Sequence, residues 1–333
     1  MQPASYEALL AVVSVVLSWS LVGIYTRAMS ASRRLDQPNE RSMHKVPVSA
    51  GAGLAIVATA LILWPLWQAS AVTSHAVLLT AFAALGAISW IDDRRTLSPA
   101  VRLIAQAVAV SACLMSLAPD ARVLPAAIPI EVERVALGIG WLWFINLFNF
   151  MDGIDGLAGS EAIAVALGYL LFLTYAGIDG PLWRLALIVA AASAGYLMWN
   201  WHPAKVFMGD AGSVPLGFLL GWLMIDLALR GYWPAAAILP LYFAADATIT
   251  LGKRALAGRK PWQAHREHFY QQAVLGGATP PAVVWRVAAG NAALIALAHA
   301  AVHRPWLALA GAAGVVAVLL AELRRLARPQ RMS

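Results

Sequence analysis

The strongest constraint on this chain is a recurrence of apolar stretches about as long as a bilayer is thick. They fall at about 7–29, 49–69, 74–91, 100–118, 135–150, 160–178, 182–200, 212–230, 233–251, 284–302 and 305–323. Roughly 20 apolar residues in a helix cross the hydrocarbon core, and a backbone in lipid must satisfy its own hydrogen bonds. Eleven such runs in 333 residues predict an all-α polytopic membrane protein with about eleven transmembrane helices. Charged residues make up only 12% of the chain, about half the share of a soluble domain, which excludes an ordinary water-soluble globule. Residues 1–333 read as a single integral membrane domain, with one longer extramembrane segment at 252–282 in which Trp262 to Val274 has the makings of a short interfacial helix. The first apolar stretch has no Lys or Arg before it and runs long, so it reads as a permanent span rather than a cleaved signal.

The formal charge of +7 raises the question of a nucleic-acid partner. With the amino terminus outside, 19 of the 24 Lys and Arg residues fall on the inner side and five, Arg122, Arg134, Arg184, Arg230 and Arg304, on the outer side. That asymmetry is the positive-inside pattern of a membrane protein. The basic residues therefore report topology, no nucleic acid is expected, and the odd span number leaves the carboxyl terminus in the cytoplasm. Cys113 is the sole cysteine, so neither an intrachain disulfide nor a cysteine metal site is available.

Acidic residues near a bilayer are expensive and mark function by default. Here they gather with other polar groups in four inner segments. Asp92 and Asp93 stand at the end of the third apolar stretch; hard oxygen donors of this kind, with Asp210, suit Mg²⁺, and neighbouring carboxylates raise one another's pKa, so either could accept a proton or attack as a nucleophile. The second segment, Asn149-Phe150-Met151-Asp152-Gly153-Ile154-Asp155-Gly156, places two carboxylates three residues apart, on one face if the segment is helical. The third, Phe207-Met208-Gly209-Asp210, sets a ring that can stack on a base three residues from an acid. The fourth, His265-Arg266-Glu267-His268-Phe269-Tyr270-Gln271, offers cationic or potentially cationic donors for phosphate oxygens. The pair His265 and His268 also has transition-metal spacing, although no third soft ligand is near. His44 in the first inner loop is a further candidate, whereas His75, His299 and His303 sit at outer ends. Asp226, near the outer end of its apolar run, reads as satisfied or snorkelling, and Asp246 stands out because it lies in the inner half of an apolar run. Convergence of these groups on one face describes a site for a polyanionic soluble substrate, a divalent cation and an acceptor drawn from the bilayer, requirements that phosphoryl transfer meets.

At these residues the chain resembles the polyprenyl-phosphate N-acetylhexosamine-1-phosphate transferases, the bacterial glycosyltransferase family 4 whose relatives include phospho-MurNAc-pentapeptide translocase. The likeness rests on Asp92-Asp93 followed by Arg102-Leu103 and Gln106, on Asn149 to Ala158, on Asn200 through Lys205 to Ser213, and on His265 to Gln271, and it extends over nearly the whole chain. It implies transfer of a sugar 1-phosphate from a UDP-N-acetylhexosamine to undecaprenyl phosphate with release of UMP, at the cytoplasmic face of a bacterial inner membrane, with Mg²⁺ or Mn²⁺ as cofactor. By the same resemblance Asp210, Asp92 and Asp93 are the catalytic and metal residues, Asn149, Asp152, Asp155, Asn200 and Phe207 the nucleotide-side residues, and His265, Arg266 and His268 the contacts to sugar and diphosphate. The His265 to Gln271 loop is similar to the O-antigen-initiating type rather than the peptidoglycan branch. One departure is plain: where the family commonly has Pro-Thr-Pro-Arg/Lys-Gly-Gly-Gly, this chain reads Pro47-Val48-Ser49-Ala50-Gly51-Ala52-Gly53 and lacks the basic residue. A homodimer is an open expectation. The rival readings are an ion-coupled transporter, favoured only by Asp246, and a prenyltransferase, which lacks the widely spaced Asp pairs that chemistry needs.

Overall fold

The computed structural model describes residues 3–31, 48–124, 128–260, 263 and 265–328. His44 lies outside the described residues. The chain is built of helices: α1 (Pro3–Ala31), α2 (Leu54–Trp67), α3 (Ala76–Arg95), α4 (Pro99–Met115), α5 (Ile130–Phe150), α6 (Leu157–Tyr175), α7 (Pro181–Asn200), α8 (Asp210–Leu227), α9 (Trp233–Ile238), α10 (Leu241–Leu256), α11 (Phe269–Leu275), α12 (Pro280–Ala300) and α13 (Pro305–Leu326). Among the described residues the β pairing is one parallel bridge, between Ser49 and Val206. The all-α expectation holds. Seven described helical stretches, Ser5–Met29, Ala76–Arg95, Leu157–Tyr175, Pro181–Asn200, Asp210–Ile238, Pro280–Ala300 and Pro305–Leu326, are long and apolar enough to cross a membrane, against about eleven expected. The difference has local causes. α2 and α4 are apolar but shorter, and α5 carries Glu131, Glu133 and Arg134 in its first turns. The run expected at 233–251 is interrupted, with α9 ending at Ile238 and Pro240 opening α10.

Several helices start where the sequence signals a start. Ser98 precedes Pro99 and accepts the Val101 N–H at 3.3 Å, and Thr279 precedes Pro280 and accepts the Ala282 N–H at 3.4 Å, each an N-cap followed by the one helical position where proline loses nothing. α8 is apolar on every face, and that pattern demands burial on every face. Ala211 to Ile225 are all buried, with α3 and α5 packed against α8. Trp141 of α5 stacks on Phe218 at 4.7 Å and donates its indole N–H to the Phe218 carbonyl at 2.8 Å, satisfying its polar atom inside the core.

α6 and α12 are tied by one polar pair in an apolar setting. The Asn291 amide donates to Glu161 at 2.7 Å, and both residues are buried. Removing one partner strands the other, at about 1–3 kcal/mol, whereas replacing both by apolar groups of similar shape is close to neutral. Asn291→Leu therefore lowers the thermal unfolding midpoint of the detergent-solubilised protein, and Glu161→Leu in the Asn291→Leu background recovers most of the loss.

Candidate active site

Two aspartates at the end of α3 open the site, and they do different work. Asp93 accepts the backbone N–H groups of Asp210 at 3.0 Å and Ala211 at 3.1 Å. It thus caps the amino terminus of α8 from another helix, supplying acceptors and negative charge where a helix lacks both. Asp92 turns the other way. It accepts the Leu97 N–H at 2.5 Å, which closes the chain after α3, and the Arg102 guanidinium at 3.0 Å. The same Arg102 nitrogen reaches Asp210 at 3.1 Å, so one cation from the first turn of α4 lies between Asp92 and Asp210. Asn149, in the last turn of α5, donates to the other Asp210 oxygen and to the Ser213 hydroxyl, both at 2.8 Å. Three segments distant in sequence, the ends of α3 and α5 and the start of α4, are thereby fastened around the first residue of α8.

The loop that departs from the family pattern is fastened to the same place through its backbone. Phe207 N–H donates to the Ser49 carbonyl at 2.8 Å, and Ala52 and Gly53 donate to the Phe207 and Met208 carbonyls at 3.0 Å each. The Tyr25 hydroxyl donates to the Ala50 carbonyl at 2.7 Å. Contact is close at Gly209, whose φ is +68° and where a Cβ would lie 2.6 Å from the Gly51 nitrogen and 2.7 Å from an Asp93 oxygen. Glycine is required there on both counts.

Asp152 and Asp155 part company. Residues 151–156 form a turn rather than a helix, so the expected shared face does not exist. Asp155 accepts from the His202 ring at 2.6 Å and from the Ala204 N–H at 3.1 Å. Asp152 faces the carboxylates: burial first, then the charges of Asp210 and Asp93, push its pKa from 3.8 up to about 7. Asn200 is buried and spends both ends of its amide on backbone, accepting the Gly156 N–H and donating to the Val206 carbonyl, each at 2.9 Å. It thereby locks the Asp152–Gly156 turn to the strand-like segment that carries Phe207.

The His265 to Gln271 loop reaches this assembly through α11. The Tyr270 hydroxyl donates to the Phe150 carbonyl at 3.1 Å, and Tyr270 and Gln271 pack so closely over Gly153 that a side chain there would collide with the ring oxygen. His265 and His268 stack at 4.8 Å. His265 differs from its expected cationic character: burial, the neighbouring His268 and the Arg254 guanidinium push its pKa down to about 4, and its Nδ1 accepts the Glu267 N–H at 3.2 Å. It is neutral at physiological pH, with its proton on Nε2. Arg266 is half-buried, and its carbonyl accepts from Gln272. Glu267 is held by Arg254 and by Arg259, the latter at 2.8 Å. The expected surface helix is short and partly buried: Trp262 and Ala264 lie outside the described residues, and α11 packs against α13.

Residues not anticipated as partners from the sequence are Ser213, His202 and Tyr270, each defined only by contacts across the fold. As for metals, no three His, Cys, Asp or Glu side chains among the described residues are grouped as a metal site. The donor chemistry nonetheless fits a hard divalent cation. Asp92, Asp93, Asp152 and Asp210 bring hard carboxylate oxygens together, and burial followed by the charges of Asp210 and Asp93 raises the pKa of Asp152, a charge burden that a cation would relieve. Mg²⁺ completes its shell with water and substrate phosphates, so the protein need supply only part of it.

An all-helical protein with several membrane-length helices and an acidic centre at one set of helix ends defines a multi-pass membrane enzyme class. Comparison with known proteins makes that specific. The model of glycosyl transferase family 4 matches residues 75–228, which contain Asp92, Asp93, Arg102, Asn149, Asp152 and Asp210. A Streptomyces coelicolor protein that carries a glycosyltransferase name is 32% identical over 345 residues, covering 98% of this chain and 80% of its own length. The decaprenyl-phosphate N-acetylglucosaminephosphotransferase of Mycolicibacterium smegmatis is 29% identical, covering 71% of this chain and 67% of its own. The phospho-N-acetylmuramoyl-pentapeptide-transferase of Thermosynechococcus vestitus is 30% identical, covering 68% and 64%. The chain belongs to glycosyl transferase family 4 and is a multi-pass membrane transferase.

The raised pKa of Asp152 has a defined sign in stability. Folding favours its protonated form, so the contribution is fully present below the unfolded value of 3.8 and is lost as pH rises through about 7. The thermal midpoint of the ligand-free protein falls between pH 5 and pH 8, and Asp152→Asn flattens that fall; an unchanged slope in the variant contradicts the placement of the charge.

Proposed function

We propose that this protein transfers a sugar 1-phosphate from a UDP-N-acetylhexosamine to undecaprenyl phosphate, releasing UMP and forming a lipid-linked diphospho-sugar that begins an O-antigen-like envelope polysaccharide. The observation that carries the reading is the assembly of Asp92, Asp93, Arg102, Asn149, Asp152 and Asp210 around the start of α8. The names of the relatives, which act on polyprenyl-phosphate and N-acetylglucosamine, supply the substrate classes. In this reading about eleven spans place the amino terminus outside and the site on the cytoplasmic face of a bacterial inner membrane.

The chemistry follows from the residues. Asp210, with Asp92 and Asp93, would hold Mg²⁺ or Mn²⁺. Such an ion, when bound, neutralises charge on the donor diphosphate. Arg102 lies between two of these carboxylates, where its charge balances them and is available to phosphate oxygens. The lipid phosphate oxygen attacks the phosphorus that bears the sugar, and the bond to the UMP oxygen breaks. Asp93 has both oxygens committed to α8, and Asp92 is committed to Leu97 and Arg102. Asp93 and Asp152 both have pKa values of about 7, and Asp152, which does not cap α8, is the one placed to take a proton from the lipid phosphate at neutral pH. Asn149 orients Asp210. Asp155 and Asn200 act on the nucleotide side through the turn they hold, with Phe207 alongside. His265 donates through Nε2, and Arg266 and His268 complete the contact to the sugar diphosphate. The transporter reading loses its single support, because every oxygen of Asp246 is already engaged by protein donors.

Purified protein with undecaprenyl phosphate and a panel of UDP-N-acetylhexosamines releases UMP from at least one donor. Release requires Mg²⁺ or Mn²⁺ and is abolished by EDTA. Asp210→Asn eliminates UMP release while leaving the thermal transition in place; near wild-type activity in that variant rejects the role of Asp210. Solute flux in proteoliposomes without UMP formation would instead support a transporter.

A further inference from the structure

Asp246 is fully buried in α10 and takes no part in the chemistry above. It accepts five hydrogen bonds. Tyr242 at 3.3 Å and Thr250 at 3.3 Å donate from its own helix, one turn to either side. The other three come from the segment at the start of α11: His268 Nδ1 at 3.3 Å, Phe269 N–H at 3.1 Å and Tyr270 N–H at 3.4 Å. A buried acid is costly unless it is compensated in this way, and a helix anchor alone needs only the two backbone bonds. The contact to His268 adds chemical information. A carboxylate with N–H neighbours acts as acceptor, so His268 must carry a proton on Nδ1, and its Nε2 is left as an acceptor on a buried ring. The ring stacks on His265 at 4.8 Å and on Tyr270 at 5.6 Å. Tyr270 in turn bonds to the Phe150 carbonyl beside Asp152. One carboxylate thus sets both the tautomer of His268 and the seat of α11 on the Asp152 turn.

We infer that Asp246 is a positioning residue for the transfer reaction, holding His268 with Nδ1 protonated so that the Nε2 lone pair accepts a hydrogen bond from the sugar of the donor. This rests on the transfer reading, so its test needs one readout that does not depend on turnover. In ¹⁵N spectra of histidine-labelled full-length protein, the His268 Nδ1 resonance, assigned by its loss in His268→Ala, is that of a protonated nitrogen, and Asp246→Asn shifts it. A wild-type His268 with bare Nδ1 overturns the inference whatever the enzyme does. In the UMP-release assay, Asp246→Asn lowers kcat by about 10- to 100-fold, the range seen when the carboxylate partner of a functional histidine is removed, and changes KM for the nucleotide sugar less than about threefold. The two residues act as a unit, so the Asp246→Asn/His268→Ala double variant is no slower than His268→Ala. Multiplicative losses, or an Asp246→Asn variant at wild-type kcat, overturn the inference. If Asp246→Asn lacks a thermal transition, the combined Tyr242→Phe/Thr250→Val variant strips the orienting hydroxyls and leaves the α11 contacts. It lowers kcat in the wild-type background and has no further effect in His268→Ala; equal effects in both backgrounds overturn the inference. Absence of UMP release from the wild-type protein with every donor rejects the transfer reading and leaves the ¹⁵N result to decide the role of Asp246.

Discussion

The structure depends on the carboxylate of Asp93 receiving the first two N–H groups of α8. α8 is apolar all round and enclosed by its neighbours, while its amino terminus opens at the half-exposed polar centre, where its first N–H groups have no acceptor within the helix. Asp93 supplies that acceptor from a different helix, and in doing so fixes α3 against α8 and brings Asp92 next to Asp210. Arg102 then becomes necessary, since three carboxylates in such proximity repel one another, and a shared guanidinium offsets two of them. One guanidinium does not offset the whole centre: burial first, and then neighbouring carboxylates, raise the proton affinity of Asp93 and Asp152 to pKa values of about 7. Under the proposed function, that surplus of buried carboxylate is what a divalent cation would relieve and what would supply a base near neutral pH.

A second layer of contacts holds the peripheral loops to this knot. Asn200 bridges the Asp152 turn and the Phe207 segment, the backbone of residues 49–53 runs beside Phe207 and Met208, and Asp246 with Tyr270 seats the histidine loop over Gly153. The Asn200 tie is one buried amide that satisfies backbone from two segments, the 49–53 tie is backbone to backbone, and Asp246 takes the first N–H groups of α11. The missing basic residue in the first loop is therefore compatible with an intact loop anchor, because the anchor is made by backbone and by Tyr25.

Much of this was legible in the sequence. Apolar runs of membrane length announced the helical architecture, and the scarcity of acids made Asp92, Asp93, Asp152, Asp155 and Asp210 conspicuous. What the sequence left unread was partnership. Asp155 and Asn200 carry motif positions, yet their side chains bond to His202 and to backbone, because the turn at 151–156 rotates Asp155 away from Asp152. The lowered pKa of His265 arises from burial and from His268 and Arg254, and no spacing rule predicts a neutral imidazole in a basic loop. The interruption between α9 and α10 was signalled by Pro240 but masked by the apolar residues around it.

The central claim is that the carboxylate centre transfers a phosphorylated sugar rather than a sugar alone. The direct measurement uses a UDP-N-acetylhexosamine labelled with ³²P at the phosphate next to the sugar, incubated with the protein and undecaprenyl phosphate. The account predicts that label passes into the lipid fraction in equal amount with the UMP formed. Label retained in UDP, with unlabelled sugar on the lipid, would contradict it.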